Sequence, residues 1–139
     1  MDNLNNLNRE EGDDRTRILI VDDEASIISL MTDMLEDEPI EITSATTGYE
    51  ALIKAQTANP DLIFLDLKLA GQINGLQVLQ RLREHEDTNS IPVLLISGHG
   101  EFAKQGFEMG ADGFIDKPFL KHDLLAAIDD KLGILSSSR

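Results

Sequence analysis

The chain has 139 residues and a mass of 15.4 kDa, room for one domain with a sizeable core and too little for two ordinary ones. Twenty-six acidic residues against 12 Lys and Arg give a formal net charge of −14, which argues against direct binding to nucleic acid or to an anionic membrane surface. Cysteine is absent, excluding disulfides, thiolate metal sites and thiol nucleophiles. No run approaches the roughly 18 apolar residues of a membrane span.

In chain order, Met1 to Arg17 is rich in Asn, Asp, Glu and Arg, lacks a signal-peptide apolar stretch and reads as a flexible polar tail, with room for a short helix around Leu4 and Leu7. Ile18 to Leu135 reads as one domain, and Ser136 to Arg139 as a frayed end or linker stub. ILIV (Ile18–Val21) is a buried strand ending in Asp22-Asp23-Glu24. Ile27, Leu30, Met31, Met34 and Leu35 follow at helical spacing. Ile40 to Ala45 alternates like a strand. Tyr49, Leu52, Ile53 and Gln56 mark a helix that Asn59-Pro60 stops. LIFL (Leu62–Leu65) is a second buried strand, ending in Asp66. Leu76, Leu79, Leu82 and Arg83 repeat as a helix. PVLLIS (Pro92–Ser97) is another buried strand. A helix from about Glu101 to Met109 is weakened by Gly106. GFID (Gly113–Asp116) is a short fifth strand, followed by Lys117-Pro118-Phe119. Leu124, Leu125, Ile128 and Leu132 form the last helix, which Gly133 stops.

Five strand–helix units in strict alternation, with strands apolar on both faces, predict an α/β fold: an open, doubly wound parallel sheet with helices on each side. In such sheets ligands bind at the carboxyl ends of the strands. The polar residues there are Asp22, Asp23, Asp66, Ser97 and Lys117. Packed carboxylates raise one another's pKa unless a cation neutralises them, and a hard divalent ion with oxygen ligands, Mg²⁺, suits that set. A cation, a lysine and a hydroxyl form a cradle for a phosphoryl group, and a neighbouring carboxylate can accept it. No two histidines have zinc-ligand spacing; His85 and His122 read as solvated helix residues and His99 as a loop residue.

These motifs, ILIVDDE, DLIFLD, PVLLISG and GADGFIDKPF in that order, resemble the response-regulator receiver domains of two-component signalling. The resemblance implies a flavodoxin-like (βα)5 fold with strand order 2-1-3-4-5. It implies Asp66 as phosphoacceptor and Lys117 as the partner of the phosphoryl oxygens. Ser97 and Phe114 become switch residues. A Mg²⁺ site would use Asp22, Asp23, Asp66 and the backbone carbonyl of Lys68, with Asp22 acting mainly through water. Pro118 would follow a cis peptide. The implied partners are a histidine kinase or histidine phosphotransfer protein and a downstream protein target, met through the fourth helix, fifth strand and fifth helix. A phosphorylation-dependent dimer is compatible with this. The implied protein is a cytoplasmic switch that catalyses only its own phosphorylation and dephosphorylation. Too few residues flank the domain for an effector, so output would be by protein contact, or the receiver is cut from a longer chain.

The segment after Asp66 departs from the family pattern. DLKLAGQINGL has Ala70 where the family places a proline, and Gly75 one position later than its usual glycine, implying a one-residue insertion. Lys68 and His99 occupy positions that tune phosphoaspartate hydrolysis in the family. Two other readings carry weight: a phosphorylation-independent scaffold, suggested by the altered loop, and a haloacid-dehalogenase-like phosphohydrolase, disfavoured because no D-x-D motif ends the first strand.

Overall fold

The computed structural model describes residues 15–98 and 103–133. Five strands, β1 (Thr16–Val21), β2 (Ile40–Ala45), β3 (Leu62–Asp66), β4 (Val93–Ser97) and β5 (Gly113–Asp116), form one sheet. Its order is β2-β1-β3-β4-β5 and every pairing is parallel. The helices α1 (Ala25–Leu35), α2 (Gly48–Thr57), α3 (Gly75–Glu84), α4 (Ala103–Glu108) and α5 (Lys121–Leu132) alternate with the strands. The expected flavodoxin-like architecture is therefore the observed one.

The uninterrupted apolar runs have a direct cause. Each central strand divides its residues between two cores, because successive side chains point to opposite faces. Leu19, Val21, Ile63, Leu65, Val93 and Leu95 pack on one face with α2 and α3 residues such as Ala51, Ala55, Val78 and Leu79. Ile18, Ile20, Leu62, Phe64, Leu94 and Ile96 pack on the other with Met31 and Leu35 of α1 and Leu124, Leu125 and Ile128 of α5. Fully burying such a side chain stabilises the fold by roughly 1.5–3 kcal/mol. The edge strand β2 is only partly buried except at Ala45.

Three local readings need correction. Thr16 and Arg17 belong to β1, not to the tail. Their pairing with Ile40 and Glu41 is parallel ladder, and the Arg17 amide donates to Asp61 Oδ2 at 2.8 Å. Polar side chains hid this extension, since a strand end at the sheet margin need not be apolar. On α2 the inward face is Gly48, Ala51 and Ala55, whereas Tyr49 and Ile53 are exposed. Small residues let α2 lie close to the sheet and to α3, so size, not hydrophobicity, chooses the face. Leu30 of α1 is likewise exposed.

The helix stops at Asn59 and Gly133 behave as read. Asn59 adopts a left-handed φ of 51° after α2, and Gly133 ends α5 with its N–H on the Asp129 carbonyl. Asn74 caps α3 through a reciprocal pair with Gln77. The predicted start of the fourth helix at Glu101, His99, the short helix around Leu4 and Leu7, and the stub at Ser136–Arg139 lie outside the described residues.

Candidate functional site at the carboxyl edge of the sheet

Because β1 and β3 are adjacent and in parallel register, their carboxyl ends bring Asp22, Asp23 and Asp66 to one point. One carboxylate oxygen from each lies within 4.8 Å of the others. The β4–β5 pairing sets Ser97 beside Asp116, and the next residue, Lys117, turns its side chain across the sheet edge. Lys117 Nζ donates to Asp22 Oδ2 at 2.8 Å and to Asp66 Oδ2 at 3.3 Å. The Lys117–Pro118 peptide is cis, as the resemblance implied.

The three carboxylates differ in environment. Asp22 is 0% exposed; its Oδ1 accepts from the Glu24 amide at 2.9 Å and its Oδ2 holds Lys117. Asp66 is 3% exposed, and its Oδ1 accepts from the Lys68 amide at 3.1 Å. Asp23 is exposed and accepts from the Ala70 amide at 3.2 Å. Neither Asp22 nor Asp23 caps α1, which begins after Glu24 with no side-chain cap hydrogen bond.

Burial is the largest influence on Asp66 and raises its pKa from the ordinary 3.8 to about 6. The charge of Asp22 adds to the rise, while the Lys68 amide and Lys117 oppose it. For Lys117, burial acts to lower the pKa, but the hydrogen bonds and charges of Asp22 and Asp66 outweigh it and hold the ammonium above its usual value. Three carboxylates thus face one ammonium, leaving an electronegative, oxygen-only donor set. That is the chemistry of a hard divalent cation, so these residues fit one.

A cavity of about 360 Å³ opens over this cluster, lined by Asp23, Glu24, Asp66, Lys68, Ser97 and Lys117, together with Gly98. Ser97 is 1% exposed at its wall. Phe114 does not line it. It sits half-buried on β5, opposite Leu95 in register, against the core shared with α2 and α3. Sequence reasoning missed one contributor and noted a second without its role. The Ala70 amide carries no side-chain signal. Gly75 is needed because any Cβ there would collide with the Asp66 carbonyl and the Leu67 backbone, and a displaced glycine in the motif was the available clue.

The fold, the strand-end acids and the bridging lysine together define a receiver-type α/β domain. The chain belongs to the response regulator receiver domain family, whose pattern matches residues 18–129. It is 41% identical over 115 residues to the transcriptional regulatory protein ResD of Bacillus subtilis (strain 168), covering 81% of this chain and 46% of that protein. It is 40% identical over 114 residues to the DNA-binding dual master transcriptional regulator RpaA of Synechocystis, covering 81% and 47%. The chain thus spans about half the length of the curated relatives it matches. Among solved structures, it resembles the Vibrio cholerae chemotaxis protein CheY4 with a TM-score of 0.78 and 30% identity, covering 85% of this chain and 99% of that one. The receiver domain of NtrX from Brucella abortus gives 0.77 and 36%, covering 84% and 98%. Among the described residues, no helix is long and apolar enough to cross a membrane.

Proposed function

We propose that this domain is a phosphorylation-driven switch in which Asp66 accepts a phosphoryl group from a histidine of a kinase or phosphotransfer partner. The observation that carries the reading is the Asp22–Asp23–Asp66 cluster bridged by Lys117 under a cavity of about 360 Å³. An Asp66 carboxylate oxygen attacks phosphorus in line, the phosphorus–nitrogen bond breaks, and the imidazole departs with the bonding pair. Lys117, already held above its usual pKa, stays charged and offsets charge gathering on the phosphoryl oxygens. Asp22, Asp23, Asp66 and the Lys68 carbonyl would hold Mg²⁺, with both Asp22 oxygens already engaged by protein donors and hence suited to an outer role. When bound, that ion supplies positive charge for the transferring oxygens.

The product is an acyl phosphate, reset by hydrolysis in the same cavity. The buried Ser97 hydroxyl donates to a phosphoryl oxygen, and the half-buried Phe114 repacks into the space released, biasing α4, β5 and α5 between two arrangements. The exposed Phe107 on α4 offers an apolar anchor for a protein target on that face. In this reading the domain works in the cytoplasm and its partners are proteins. The domain acts on itself, not on external substrates.

The test is incubation with acetyl phosphate, with and without Mg²⁺, read by intact mass. A single Mg²⁺-dependent adduct that Asp66→Asn abolishes is expected. A folded protein that binds Mg²⁺ yet gives no adduct would make it a phosphorylation-independent scaffold.

A further inference from the structure

We infer that the Ala70 amide is a latch on Asp23 that a cation must displace, so that filling the acidic cluster releases the tip of the loop after β3. This rests on the reading of the cluster as a divalent-cation site.

The loop from Leu67 to Asn74 is firmly held at both ends. Leu67 N–H donates to the Ile96 carbonyl at 3.2 Å, and Gly75 N–H donates to the Leu67 carbonyl at 3.1 Å. Leu67, Leu69 and Ile73 are buried, and Asn74 is committed to capping α3. The tip differs. Ala70, Gly71 and Gln72 are exposed, and Gly71 takes a φ of +108° that only glycine adopts readily, with open space where a Cβ would stand. That turn follows directly on the Ala70 amide, which donates to Asp23 Oδ2 at 3.2 Å.

Asp23 is therefore shared. It lines the cavity over Asp66, and it also lines a second, largely apolar cavity of about 470 Å³ bounded by Leu67, Leu69, Ala70 and Leu76. An N–H donor and a cation are both electropositive partners of the same carboxylate, and each weakens the other's hold on it. By linkage the effect is reciprocal: whatever holds the tip down weakens the cation, and the cation loosens the tip. A proline at position 70 would have no N–H to donate. The latch is thus a property of this chain's own loop, and releasing it changes the wall of the apolar cavity beside the reacting carboxylate.

The experiment titrates the full chain with MgCl₂ by calorimetry and follows the Ala70 amide by proton–nitrogen NMR. Three proteins are compared: the natural chain, Ala70→Ser, which keeps the N–H, and Ala70→Pro, which removes it. Ala70→Pro is expected to bind Mg²⁺ about fivefold more tightly, and Ala70→Ser like the natural chain. In the natural chain, saturation should move the Ala70 amide proton upfield and speed its exchange. Equal or weaker affinity in a folded Ala70→Pro, or an Ala70 amide unmoved at saturation, overturns the latch while leaving the cation site standing. If Ala70→Pro does not fold, the amide of the natural chain decides alone. Absence of Mg²⁺ binding in the natural chain overturns the latch and the cation-site reading together.

Discussion

The two ends of the sheet handle charge in opposite ways. At the amino end of β4, Arg83 is surrounded by acceptors: the carbonyls of Gly110, Asn89 and Ile91 at 3.0, 3.2 and 2.9 Å, and Asp112 Oδ2 at 3.0 Å. Asp112 in turn accepts from the Val93 amide at 2.9 Å. Burial pulls the guanidinium pKa below its ordinary value, with Asp112 opposing, yet the group fastens α3 to the β4 and β5 entries. At the carboxyl end, three acids cluster beside one lysine, which pairs with Asp22 and Asp66, and Asp66 is left with a raised pKa. The first end is satisfied and holds the fold together. The second is under-compensated, which suits it to the proposed cation and makes it a source of instability.

The contrast makes the two ends respond to mutation with opposite signs. The largest expected effect is at the satisfied end. Arg83→Ala strands several carbonyls and Asp112 and should destabilise the domain by about 3 kcal/mol, read as a lower urea midpoint, with Mg²⁺ affinity unchanged. Loss of Mg²⁺ binding in a folded Arg83→Ala protein would break the division between the ends.

Asp66→Asn should move stability the other way. Asp66 titrates near 3.8 in the unfolded chain and at about 6 in the fold, so the native state holds the proton more tightly. Stability contributed by the protonated group is present below about pH 4, is lost as pH rises to about 6, and stays lost above. Asp66→Asn should therefore gain of order 2 kcal/mol at pH 7 without divalent ions and nothing near pH 4. Urea midpoints at the two pH values check this, and a loss of stability at pH 7 would show that the cluster is not under-compensated. The smallest effect concerns the loop joining site to helix. Asn74→Ala removes the α3 cap and should cost about 1 kcal/mol, seen in thermal melts.

The legible part of the molecule is local. Strand runs, helix stops at Asn59 and Gly133, and polar residues at strand ends are all sequence neighbours of the features they announce. The α2 face was misread because Tyr49 and Ile53 outrank Ala51 and Ala55 in hydrophobicity but not in fit. Arg83 reads as one more residue of a helical repeat; its role comes from carbonyls up to 27 residues away.

The sequence alone determined a parallel α/β sheet and named Asp22, Asp23, Asp66, Ser97 and Lys117 as residues at strand ends, because alternating apolar runs and their polar terminations are written in consecutive positions. The strand order came from family resemblance; periodicity does not encode it. Only the tertiary structure decided that Asp22 is sealed while its neighbour Asp23 stays open, that Lys117 reaches Asp22 across 95 residues, and that a backbone amide holds Asp23. Burial, long-range pairing and main-chain donors depend on which strands lie side by side, and that is a property of the folded chain in space.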